Sequence, residues 1–246
     1  MMKETGAEGV GAVILDHFRG LWYLTSVTKD ILNLLIQFLT FMFALSVHEA
    51  AHGWVADRFG DPTARRLGRV TLNPIAHIDL FGTVIFPLIL FLLKLPLFGW
   101  AKPVPVNPYN LRNPRRDSMW VSAAGPVSNL LVATVCSLLI RLVPAQNPGL
   151  HIFGILLSYL IIIDIFLAVF NLIPIPPLDG SGIIEGLLKG KALENYLKLR
   201  PYSMFILLAL VWFGGLGSII WPVLNFFVRL LGVIQHINFY FAVMLG

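Results

Sequence analysis

The chain alternates long apolar blocks with short polar connections. Apolar stretches cover about 31–57, 118–143, 151–173, 203–217 and 218–244. A block of roughly 18 or more apolar residues reads as a membrane-spanning helix. The last two blocks are separated only by FGGLGS (213–218), a turn or a flexible break. Segment 82–98 is apolar but short, begins at Gly82 and contains Pro87 and Pro96. Segment 10–28 mixes apolar residues with Asp16, His17 and Arg19, which suits an interfacial position or a poor first span. The pattern predicts an all-α polytopic membrane protein of about five to six transmembrane helices. It also predicts a short re-entrant or interfacial element and small β-strands in the cytoplasmic-side loops. Three regions follow: an N-terminal segment 1–30, a core 31–180, and a loop with C-terminal helices over 181–246.

Composition agrees. Hydrophobic residues make up 57% of the 246 and charged residues only 13%, where a soluble domain sits nearer one quarter charged. The net charge of +5 does not point to nucleic acid, because no basic stripe or aromatic-basic alternation is present. The basic residues instead set topology. Nine of the 18 Lys and Arg fall in 57–117 and four more in 174–202, whereas the connection PAQNPGL (144–150) has none. Basic loops stay cytoplasmic, so 31–57 runs inward, 118–143 outward and 151–173 inward, in a multi-pass protein of the cytoplasmic membrane. Both flanks of 82–98 then lie on the cytoplasmic side. This favours a re-entrant or interfacial element, which needs a protein-lined or wet cavity; a plain short transmembrane helix is the alternative. Cys136 is the single cysteine and sits in an apolar block, which excludes a disulfide framework and a thiolate metal site. MMKETGAEGV lacks the basic-apolar-small pattern of a cleaved signal peptide.

One apolar block carries chemistry. In LSVHEAAHGW (45–54), His48 and His52 stand four apart and Glu49 follows the first. On a helix both imidazoles share a face. The H-E-x-x-H spacing lets them hold one zinc ion with the carboxylate as general base. Ionisable groups this deep are costly in lipid and signal function. With a helix end near Asp57, His52 lies about 8 Å and His48 about 14 Å from that end. The competing reading is a pair of histidines hydrogen-bonded across a bundle, with Glu49 paired to an arginine. A third ligand decides between them, since catalytic zinc takes three protein ligands and keeps one open position. FNLIPIPPLDGSG (170–182) follows an inward-running block, so it emerges at the same level. Pro174, Pro176 and Pro177 break the helix there, which leaves Asp179 either as a ligand aimed into the bundle or as an N-cap for the next helix.

HEAAH (48–52), NPIAHID (73–79), AAGPVSN (123–129) and NLIPIPPLDG (171–180) together resemble the site-2 proteases. These are intramembrane zinc metallopeptidases that cut membrane-spanning substrates. The likeness covers about 31–180 and implies a compact form without a PDZ insert or a nucleotide-sensing domain. It implies one Zn2+ per chain, with His48, His52 and Asp179 as ligands, Glu49 as catalytic base, and Asn171 near the scissile carbonyl. It also implies transmembrane protein substrates, cleavage near the cytoplasmic side of the bilayer, and no nucleic-acid partner. Gly125 and Asn129 fall on the family's G-x-x-x-N, a pair suited to close helix approach and an interhelical hydrogen bond as much as to catalysis. His77 and Asp79 are expected to fix a loop, or to form a plain polar turn. GRVTLNP (68–74) and AKPVPVNP (101–108) are either an edge for extended substrate or ordinary surface loop. A metal-binding transporter and a non-catalytic scaffold of the same fold are the alternative functions. The oligomeric state is not legible.

Overall fold

A computed structural model describes residues 27–92 and 101–245. The expectations for segment 10–28 and for the end of segment 82–98 lie largely outside those residues. Among the described residues the chain is all-helical. The principal helices are α1 (Val27–Arg58), α2 (Phe86–Leu92), α3 (Pro114–Ile140), α4 (His151–Asn171), α5 (Asp179–Leu187), α6 (Gly190–Leu197), α7 (Ser203–Trp212), α8 (Gly215–Leu230) and α9 (Ile234–Leu245).

Three stretches are long and apolar enough to cross a membrane: Leu32–Arg58, Pro114–Ile140 and Pro148–Asn171. They coincide with the first three strong apolar blocks. The start of α3 is fixed by Pro114, whose missing N–H costs nothing in the first helical turn. Asp117 closes that turn by accepting from the Asn113 N–H at 2.7 Å.

Further on, the expected spans 203–217 and 218–244 are divided differently. The run Gly190–Val211 meets α8 at 74°, so that pair adds a fourth span only if counted as one broken crossing. Gly214 takes φ 73° at the bend, and a second left-handed glycine, Gly232 at φ 63°, ends α8 and starts α9. Both are conformations that other residues adopt at a cost. Helices of 10, 16 and 12 residues result, each short of the roughly 20 that a straight crossing needs.

Segment 82–98 is helical over its described part: a six-residue π-helical stretch, Leu80–Ile85, runs directly into α2. Asp79 caps it by accepting from the Gly82 N–H at 2.6 Å. The small strands expected in the loops do not form among the described residues. The donors that a ladder would use go elsewhere: Lys102 N–H to the His77 carbonyl at 3.0 Å, and Val104 N–H to a side chain described below. Pro103 and Pro105 have no N–H to offer.

The core lies around α4, whose Ile161, Ile165 and Ala168 are fully buried. α3 packs on both α1 and α4, α5 lies along α3, and α8 and α9 cover another side of α4. Far from the basic loops, Arg141 donates to the Leu231 carbonyl and Tyr240 to the Val143 carbonyl at 3.0 Å. These bonds tie the end of α3 to the C-terminal helices.

Candidate metal centre

α1 carries His48, Glu49 and His52 into a space closed by α3 and the start of α5. Both imidazoles are buried, with ring centroids 4.7 Å apart at 84°. Each ring uses Nδ1 on α3. His48 Nδ1 lies 2.6 Å from Asn129 Oδ1, and His52 Nδ1 lies 2.7 Å from the Val121 carbonyl oxygen. Both partners accept, so each Nδ1 carries the proton. In a neutral ring the lone pair then sits on Nε2.

The two Nε2 atoms face one carboxylate oxygen. Asp179 Oδ2 is 3.0 Å from His48 Nε2 and 3.3 Å from His52 Nε2. That oxygen is buried yet has no hydrogen bond, because the ring protons point the other way, into α3. With both rings neutral, three lone pairs converge in a protein interior. Such a set repels itself unless a cation sits among the atoms, and His48, His52 and Asp179 form a group able to hold a metal ion.

Local sequence explains how Asp179 gets there. α4 ends at Asn171, and a tight turn leads to α5, where Asp179 is the first residue and makes no side-chain cap. The N-cap reading of Asp179 is therefore not the one adopted. Gly180 follows because a Cβ there would run into the Leu172 and Ile173 carbonyl oxygens. Tyr196 donates to the Pro174 carbonyl at 2.8 Å and pins the turn from outside. Gly125 is required for a different reason: a Cβ would lie 2.5 Å from His48 Cε1 and His52 Nε2. The Gly125–Asn129 pair thus combines close helix approach with an interhelical hydrogen bond at the centre itself.

Glu49 is half-buried, and its Oε2 accepts from the Val104 N–H at 2.7 Å. Val104 also packs near Gly53, Ala64 and Val70, which seats the loop on α1. Arg69 secures the same loop by donating to the Lys102 carbonyl at 2.7 Å. His77 and Asp79 stand apart from the three converging groups. His77 Nε2 pairs with the Thr71 carbonyl at 2.9 Å, and Asp79 caps the π-helical stretch, so both fix loops. Asn171 donates to Leu167 of its own helix at 3.0 Å.

Sequence reasoning missed two participants. Val104 acts through its backbone, which residue type does not reveal. Asp164, on α4, is fully buried and accepts from Asn129 Nδ2 at 2.6 Å. A lone carboxylate inside IIIDIF was its signal.

Comparison with known proteins bears on the whole arrangement. Residues 145–213, which include Asp179, match the family described as Peptidase family M50. YwhC of Bacillus subtilis (strain 168), named as a candidate zinc metalloprotease, is 39% identical over 196 residues, covering 76% of this chain and 84% of that protein. Rip2 of Mycolicibacterium smegmatis (strain ATCC 700084 / mc(2)155), named likewise, is 26% identical over 197 residues, 80% of this chain and 74% of its own. Rip2 of Mycobacterium tuberculosis (strain ATCC 25618 / H37Rv) is 28% identical over 182 residues, 71% and 68% respectively. No solved structure matches. Extended identity to a relative covered for most of its length, with the family match across the Asp179 segment, places this membrane protein in peptidase family M50, the site-2 proteases.

Proposed function

We propose that the chain is an intramembrane zinc endopeptidase that hydrolyses peptide bonds of membrane-spanning proteins near the cytoplasmic side of the bilayer. The observation that carries this reading is the convergence of His48 Nε2, His52 Nε2 and Asp179 Oδ2 beside Glu49. Two of the three donor separations are close to those that zinc sets. Ligand bonds of about 2.0–2.2 Å in a tetrahedron put neighbouring donor atoms roughly 3.4 Å apart. The two nitrogen–oxygen separations are 3.0 and 3.3 Å. Two imidazoles and a carboxylate are also a donor set that leaves the fourth position open. Zinc held there supplies a Lewis acid that acidifies water and polarises a carbonyl.

The chain's own residues do the rest. Glu49 takes the proton of the attacking water and later delivers it to the leaving amine. The Val104 N–H holds one oxygen of that carboxylate, so the other is the one free to face the open position. Asn171 turns its amide from Leu167 to the oxyanion of the scissile group. A helical substrate hides its amides, so the target segment enters locally unwound. Residues 68–74, beside the α1 face that carries Glu49, are the edge along which it extends.

In the membrane, the bent C-terminal pair adds one broken crossing to the three spans. The basic loops face the cytoplasm, and the host membrane is the cytoplasmic membrane. A transporter would spread its ligand groups along several depths, whereas here they meet at one.

The test is metal analysis of purified protein beside His48→Ala and Asp179→Ala, together with cleavage of a single-span substrate in proteoliposomes by Glu49→Gln. One zinc per chain, lost in both ligand variants, with Glu49→Gln metal-loaded and inactive, is the expected result. A chain that binds no zinc, or a Glu49→Gln variant that still cleaves, overturns the reading.

A further inference from the structure

We propose that Asp164 is a positioning residue for the metal centre, acting through Asn129 to hold His48 with its Nε2 lone pair presented to the metal. The inference rests on the zinc reading above. Its starting point is a buried carboxylate with little else to do. Asp164 sits in the middle of α4 with no exposed surface. Its Oδ1 accepts from Asn129 Nδ2 at 2.6 Å, and its Oδ2 has no hydrogen-bond partner. The buried hydroxyls of the spanning helices behave differently: Thr40, Ser46, Ser137 and Ser158 each return their hydrogen to a carbonyl of their own helix. Asp164 makes no such bond to its own helix. Placing a carboxylate within a membrane-spanning helix is costly and signals a role, and a single hydrogen bond to a neutral amide does not offset that cost as stability.

Asn129 shows what the carboxylate achieves. Its amide has two chemically opposite ends. The Nδ2 end donates to the Ala44 carbonyl at 3.1 Å and to Asp164 at 2.6 Å, and the Oδ1 end accepts from His48 at 2.6 Å. Turned by 180°, the amide would press its oxygen against two acceptors and point its N–H groups at His48. Asp164 and the Ala44 carbonyl therefore set which end faces His48. That choice leaves Nδ1 as the donor and Nε2 as the ligand atom. Supporting partners of this kind orient ligand imidazoles, and their removal costs metal affinity. Here the support runs one residue further than a direct carboxylate–imidazole pair.

The test measures zinc affinity by chelator competition on the purified full chain in detergent, with helical content confirmed by circular dichroism. Wild type is compared with Asp164→Leu, Asp164→Asn, Asn129→Ala and the double variants. Asp164→Leu is expected to weaken binding about 10–100-fold. Asp164→Asn offers Asn129 either end of an amide and should lose roughly tenfold. It carries the test if the leucine variant does not fold. In the Asn129→Ala background neither Asp164 change should weaken binding further, a coupling that a merely structural role would not produce. Wild-type affinity in both Asp164 variants, or losses that multiply in the double variants, would overturn the inference while leaving the zinc site standing. Absence of zinc from the wild type would sink the zinc reading, and the inference with it.

Discussion

Replacing Gly125 with alanine puts a methyl group where the centre has no room. The added Cβ would stand 2.5 Å from His48 Cε1 and His52 Nε2 and 2.6 Å from His48 Nε2. Carbon atoms pack comfortably at about 3.5–4.0 Å, so the shortfall is at least roughly 1 Å on both rings at once. Neither ring can swing aside cheaply, because Nδ1 of each is bonded to α3, at Asn129 and at Val121. The relief must come from α1 and α3 moving apart by about 1 Å, or from breaking one of those bonds. Overpacking of this size costs typically 1–3 kcal/mol of stability, which a three-helix core can absorb. A metal site is less forgiving, since ligand distances hold to about ±0.2 Å. A shift several times that tolerance removes the site while the fold survives. The measurement is zinc stoichiometry of purified Gly125→Ala beside its thermal unfolding. Loss of metal with a modestly lowered Tm is expected. Stoichiometric zinc at wild-type affinity in the variant would refute the reasoning.

Val104→Pro removes the N–H donated to Glu49 at 2.7 Å; a hydrogen bond to a charged group is worth about 1.5–3 kcal/mol, so kcat should fall tenfold or more with zinc retained. Val104→Ala keeps the N–H and should keep most activity, and equal rates for the two variants would show that the amide is idle. Asp61 anchors the loop after α1 by accepting from Asn107 N–H at 2.6 Å and Asn110 Nδ2 at 2.9 Å. Burial pushes its carboxyl up, but hydrogen bonds from Thr63, Asn110 and Asn107 outweigh this and hold it below the ordinary 3.8. A depressed carboxylate stabilises the fold above its unfolded value and loses that contribution as pH falls through the folded one. The Tm gap between wild type and Asp61→Asn should therefore be full at pH 7 and close below about pH 4; a gap constant across that range would contradict the assignment.

The three strong spans were legible because hydropathy over a long window is insensitive to local detail. Their ends were less so: α3 begins at Pro114 rather than 118, since a polar first turn hides behind Arg115, Arg116 and Asp117. The C-terminal third was misdivided because Gly232 interrupts an apolar run that reads as continuous. Four-residue spacing made the histidine pair visible, and the proline-rich run made Asp179 visible. Asp164 and Val104 were not, since one is a single polar residue in an apolar block and the other works through its main chain. The loop strands failed because prolines 103 and 105 withhold the amides that pairing requires.

α3 supplies none of the three converging atoms, yet Val121, Gly125 and Asn129, spaced four apart along one stripe, all press on them. Sliding that helix by a single residue against α1, a movement of about 1.5 Å, would strip both imidazoles of their acceptors and drive a side chain into the gap. A newly made chain therefore has no formed metal centre until its helices have docked in register. Cutting power arrives with the finished bundle and disappears when it loosens.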